Sequence, residues 1–146
     1  MFDDVGLYAD ICATFGHFLE NPPALNDLGI EYRDGEFVET KRRPHRLDCF
    51  AYLKDRLLKC QGRVLIATDD DQEGHVIAQD VVNLARSLGV RRPIFRMTFA
   101  GLDVASVREA LQHLTPVSPD KAIPGTARRI TDRIIGGCLT DFRNDR

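Results

Sequence analysis

Apolar residues fall in two rhythms along this chain. Between Arg63 and Thr68 they form a short run (RVLIAT), and beyond Gly74 they recur every three or four residues. Ile77, Val81, Leu84 and Leu88 follow one another at spacings of 4, 3 and 4, which places them on one face of a helix that Gly89 closes. A β-branched run that stops and gives way to helical periodicity predicts strand, tight loop, helix. The alternation extends in both directions. Leu47, Phe50, Ala51, Leu53, Leu57 and Leu58 predict a preceding helix packed by one face, and Ile94–Phe99 a second strand behind Arg92-Pro93. Asp103 can cap a helix carrying Val104, Val107, Leu111 and Leu114. After a proline-rich connection over 116–124, a last helix should turn Ala127, Ile130, Ile134 and Ile135 inward, with Arg128, Arg129, Asp132 and Arg133 largely on the other side. Upstream, residues 7–14 (LYADICAT) read as a strand that delivers Phe15, Gly16 and His17 into a loop. Asn21-Pro22-Pro23 and Asp34-Gly35 punctuate an irregular region reaching about residue 46. Strand–helix alternation predicts an α/β layer with a mostly parallel sheet.

Composition narrows the class without naming a function. The chain has 146 residues, enough for one domain with a real core, and its 43% hydrophobic and 29% charged content is that of an ordinary globular protein. A net charge of −2 gives no global attraction to nucleic acid, but basic residues cluster locally: Lys41, Arg42, Arg43 and Arg46; Arg91, Arg92 and Arg96; Arg128, Arg129 and Arg133. Such clusters are ordinarily solvated faces. Cys12, Cys49, Cys60 and Cys138 show neither a CxxC pair nor a partnered His spacing, so they read as reduced thiols, two or three of them core fillers, in a cytoplasmic protein. No long apolar span or signal-like start indicates membrane or secretion.

The strongest chemical signal lies where the first apolar run ends, in Asp69, Asp70, Asp71 and Glu73. Asp69 and Asp71 are two apart, so in extended chain they share a side, and Glu73 enters at the turn into the helix. Three carboxylates within five residues repel one another unless a cation sits among them, and hard oxygen ligands suit Mg2+. Acidic residues in a first helical turn also oppose the macrodipole, so Glu73 could serve that purpose alone. The position still favours a site, because the carboxyl ends of strands are where α/β sheets bind ligands.

Four stretches together resemble one family. ATDDDQEGHVIA (67–78) is similar to the ATDPDREGEAIA signature of the Toprim domain in type IA DNA topoisomerases. TFGHFLENPP (14–23) resembles that family's Gly-His segment, RMTFAGLDVASVREAL (96–111) its R-x-x-F-x-x-I-T stretch, and ARRITDRIIGGCLT (127–140) its ARRxxDRxxGxxLS segment. They occur in family order and cover nearly the whole chain. The resemblance implies a Toprim-like, Rossmann-like fold over 1–122, with 123–146 opening the following helical topoisomerase region. It implies that Asp69, Asp71 and Glu73 are the catalytic carboxylates and hold Mg2+, and that His17 lies near the DNA path. It also places Arg128, Arg129 and Asp132 on a nucleic-acid-binding face, where Arg would pair bidentately with phosphate.

The departures carry their own expectations. The family's Pro is Asp70 here, its Arg is Gln72 and its second Glu is His75. Losing that Arg removes a fixed positive charge beside the carboxylates. In the family a first strand bearing a catalytic Glu precedes the Gly-His segment, and MFDDVGLYADI starts past it. The tyrosines are Tyr8, Tyr32 and Tyr52, all in the Toprim-like region, so the nucleophilic Tyr of strand cleavage would belong to another domain. The resemblance therefore implies an incomplete, Mg2+-binding, DNA-contacting module of a type IA topoisomerase, acting on single-stranded DNA. The rest of such an enzyme, or a second copy, would supply the missing first strand. Two other readings stand beside it: an inert interaction module docking on a replication or repair protein, and a Toprim-type metal-dependent nuclease working through activated water.

Overall fold

The computed structural model describes residues 9–144. In chain order the elements are β1 (Leu19–Glu20), β2 (Ile30–Arg33), β3 (Glu36–Glu39), β4 (Arg43–Pro44), α1 (Leu47–Lys59), β5 (Val64–Ile66), α2 (Gln72–Ser87), β6 (Ile94–Arg96), α3 (Val104–Gln112), β7 (Thr115–Pro116) and α4 (Pro119–Asn144). The alternation of β5, α2, β6 and α3 is the α/β pattern read from the hydrophobic spacing. The sheet is mixed: β5 and β6 run parallel, with Val64 opposite Ile94, and β7 adds antiparallel to β6. Among the described residues β5 pairs on one side only.

The core forms where α1 and α2 cover this sheet. Phe18, Leu53, Leu57, Ile66, Ile77, Ala78, Val81, Val82 and Ala85 are buried together. Helix α2 is enclosed on more than its predicted stripe, because Val76, Val82 and Ala85 are buried as well. Its additional partner is α4. A Cβ on Gly125 would stand 2.6 Å from the Val76 side chain and 2.8 Å from the Gln72 carbonyl, so only glycine lets the two helices approach so closely. That approach brings α4 against the first turn of α2, directly behind the acidic loop.

Several expectations are corrected. Residues 9–14 form no strand, since no neighbouring strand supplies the ladder that would satisfy their backbone; residues 7 and 8 lie outside the described residues. The irregular region contains two short antiparallel pairs, β1 with β4 and β2 with β3. Asp34-Gly35 is the tight turn of the second pair, both residues having positive φ (51° and 91°), as a two-residue hairpin favours. On α1, Phe50, Leu53 and Leu57 face inward, whereas Leu47 and Leu58 are exposed. Helix α4 begins at Pro119, inside the stretch expected to be a connection. Proline is favoured at a first helical position, and Pro124 lies near enough to that end to forfeit one backbone bond without stopping the helix.

The packed face of α4 also differs from the expected one. Ala122, Gly125, Ile130 and Gly137 are buried, while Ala127 and Ile135 are exposed. Arg129 and Arg133 consequently point to the body of the protein, not to the solvent side. Arg133 Nη2 donates to the carbonyls of Pro22 (2.5 Å) and Ala24 (3.1 Å), tying the helix to the Pro22-Pro23 loop. All four cysteines are free thiols, and the reading of two or three core fillers is corrected in number: Cys12 packs partly buried against the core, Cys49 and Cys60 are half-buried away from it, and Cys138 is exposed. Among the described residues no helix is long and apolar enough to cross a membrane.

Candidate functional site

The acidic loop, residues 67–73, is held by three separate devices. At its helical end Asp71 is the N-cap of α2: its Oδ1 accepts from the Gly74 N–H at 2.7 Å. Across the loop Thr68 Oγ1 donates to the Gly74 carbonyl at 2.8 Å. Beneath it lies Arg96, the last residue of β6, only 4% exposed. Its Nη1 donates to the carbonyls of Ile66 (3.2 Å) and Thr68 (2.7 Å), and its Nη2 to that of Asp69 (2.5 Å). Burial draws the Arg96 guanidinium down from its ordinary value, and the charges of Asp70, Asp69 and Asp71 oppose that pull. A buried cation therefore underlies the loop, where the comparison of motifs finds Gln72 in place of an arginine.

The carboxylates above it have distinct partners. His17 Nε2 donates to Glu73 Oε2, joining the Gly-His loop to the first turn of α2 across 56 residues of sequence. His17 Nδ1 is enclosed and has no hydrogen-bond partner among the described residues. His75 Nε2 lies 3.2 Å from Asp70 Oδ1, so two of the departures from the family signature meet each other. Among the described residues no side-chain hydrogen bond engages the Asp69 carboxylate, and the cap uses Oδ1 of Asp71, not Oδ2. Among the described residues no three His, Cys, Asp or Glu side chains gather to hold a metal ion. The loop is thus no ready-made protein cage. Its donor chemistry fits Mg2+ in another way, since that ion is commonly held by one or two carboxylates while water and phosphate oxygens complete the octahedron.

The arginines of α4 divide by burial. Arg129 reaches inward to Glu39 of β3 as a bidentate pair, Nε to Oε1 at 2.8 Å and Nη2 to Oε2 at 2.5 Å. Asn21 Nδ2 adds a bond to Glu39 Oε1 at 3.1 Å. Burial pushes the Glu39 carboxyl up, but the Arg129 hydrogen bonds and charge, with Arg42 nearby, outweigh it and hold the group below the usual range. For Arg129, burial lowers and Glu39 raises, with the charges of Asp80 and Glu73 adding to the rise. Its guanidinium is therefore within electrostatic reach of the acidic loop while committed to Glu39. Arg128 and Asp132 instead lie on the exposed side, 68% and 71% accessible, and face each other one turn apart at 3.8 Å.

Four charged residues of this region were not singled out by sequence reasoning for the roles they have: Arg96, Glu39, and Arg42 with Asp80. Arg42 Nη1 donates to Asp80 Oδ1 at 2.5 Å and Nη2 to the Leu19 carbonyl at 2.9 Å, with Asp80 5% exposed. The signal for Asp80 was present, since a carboxylate directly before Val81 interrupts an apolar helix face. Arg96 likewise ends an apolar strand. No local pattern announces the partner of either.

Comparison with known proteins fits this geometry. Residues 4–102 match the Toprim domain family. DNA topoisomerase 1 of Thermotoga maritima is 30% identical over 132 residues, which is 90% of this chain and 20% of that protein. DNA topoisomerase 3-alpha of Drosophila melanogaster is 30% identical over 126 residues, 86% of this chain and 9% of that protein. The solved structure of full-length topoisomerase I from Thermotoga maritima superposes with a TM-score of 0.66 at 27% identity, over 84% of this chain and 20% of that one. The chain thus spans a fifth or less of the length of these relatives. An acidic strand-to-helix loop braced by a neighbouring strand, in a chain whose larger part matches that family, makes this protein a member of the Toprim domain family, related to the type IA DNA topoisomerases.

Proposed function

We propose that this chain is a Mg2+-binding, DNA-contacting module of a type IA DNA topoisomerase, acting on a single strand and completed by parts of a larger enzyme. One observation carries the reading: His17 and Arg96, from two distant segments of sequence, meet on the loop bearing Asp69, Asp71 and Glu73, the first at the Glu73 carboxylate and the second at the loop's carbonyls. Asp69 and Asp71 would hold the ion, with Glu73 beside them. When bound, Mg2+ supplies charge that neutralises and positions a phosphate. The chain's own residues do the rest. Arg96 fixes the loop backbone from below, so the carboxylates keep their places when the ion arrives. His17 anchors Glu73 at the helical end of the loop. The exposed Arg128 of α4, beside Asp132, is available to a phosphate.

The test is binding of a labelled single-stranded oligonucleotide by fluorescence anisotropy, in Mg2+ and in EDTA, over a range of salt. Affinity should fall with rising salt, rise with Mg2+, and lose only the Mg2+ increment in Asp69→Asn/Asp71→Asn. No measurable binding in either condition would remove the reading. Cleavage of the oligonucleotide in Mg2+ or Mn2+ would replace it with the nuclease.

A further inference from the structure

Two residues without glycine's freedom adopt left-handed backbone where they border one cleft, Phe15 (φ 52°) and Arg46 (φ 49°). Such conformations are costly for a side-chain-bearing residue and persist only where the surroundings impose them. Here they bring the two side chains together: the Arg46 guanidinium lies over the Phe15 ring, 6.0 Å from its centroid. Phe15 is 72% exposed, so the strain serves no burial. The cleft they border has a volume of about 650 Å³ and is lined also by Ile11, Asp48, Cys49 and Tyr52. Tyr52, also in the lining, repeats the arrangement, with Arg56 5.0 Å over its ring. Arg56 is tied to Asp10 and Asp55, whereas Arg46 has no ion pair among the described residues. Phe15 stands two residues before His17, whose ring touches Glu73, so one short segment borders the cleft and reaches the acidic loop.

We propose that this cleft is a stacking site for an unpaired nucleobase, with Phe15 as its platform, on the segment whose His17 reaches the acidic loop. Flat apolar faces set between two arginine-topped rings suit a base, which has a π face whatever its identity. Asp48 at the rim disfavours a phosphate inside the cleft, leaving the ring faces as the recognition element. The inference rests on the proposed DNA-contacting role, and extends it to a named subsite.

The chain contains no tryptophan, so Phe15→Trp installs a single indole reporter at the platform. A single-stranded oligonucleotide should quench its emission saturably, and an abasic oligonucleotide of equal length should not. In anisotropy, Phe15→Ala should weaken oligonucleotide binding by about 5- to 100-fold, with the slope of log affinity against log salt unchanged. An unchanged melting temperature checks that the exposed ring is not needed for folding. Equal affinity of Phe15→Ala and wild type, or equal quenching by the abasic strand, would overturn the stacking site while leaving DNA contact intact. Failure of wild type to bind any oligonucleotide would overturn both.

Discussion

Gly74→Ala is expected to destabilise the chain by about 3 kcal/mol or more and to dismantle the acidic loop. A Cβ at this position would stand 1.9 Å from the Asp69 carbonyl oxygen and 2.9 Å from its carbon. Both are backbone atoms and neither can swing aside. Asp69 is held by the Arg96 guanidinium, and Gly74 by Thr68 and Asp71, so the clash cannot be relieved without breaking one of those bonds. Overpacking ordinarily costs about 1–3 kcal/mol, and a backbone-to-backbone collision lies at the upper end. Urea unfolding measures it as a fall in transition midpoint. Gly62→Ala is the control, since nothing stands within 4 Å of its Cβ position, and the midpoint should hold there.

Arg129→Ala is expected to cost about 3 kcal/mol, because it leaves Glu39 buried without its bidentate partner. A double-mutant cycle with Glu39→Gln reads the coupling: the double variant should be less destabilised than the sum of the singles. Additive costs would contradict the pairing. The consequence reaches the DNA question as well. A loss of oligonucleotide affinity in Arg129→Ala reports a disturbed fold at least as much as a lost phosphate contact. Arg128→Ala, on the exposed side of the same helix, isolates the contact.

Locally encoded features were legible in the sequence. The run Val64–Ile66, the helix opening at the Asp71 cap and the Asp103 cap of α3 each follow from periodicity or turn chemistry within a few residues. What escaped depends on partners far away in the chain. Residues 9–14 have strand-like composition, but a strand exists only with a neighbour. Arg129 reads as an outward charge until Glu39, 90 residues upstream, is brought to it. The face that α4 buries was obscured because glycines, Gly125 above all, make the contact with α2, and an apolar pattern does not register them. Within the site, the meeting of His17 with Glu73 agrees with the order of motifs, whereas the brace from Arg96 had no local sign beyond a charge ending an apolar strand.

Titration calorimetry with Mg2+ reads out the proposed binding of a divalent cation by Asp69 and Asp71 at the mouth of the sheet. Asparagine can still cap α2, so Asp69→Asn/Asp71→Asn removes charge and keeps the fold, which its melting curve verifies. Saturable heat in wild type that is lost in the double variant is the predicted result. Equal affinity in the two proteins would contradict it.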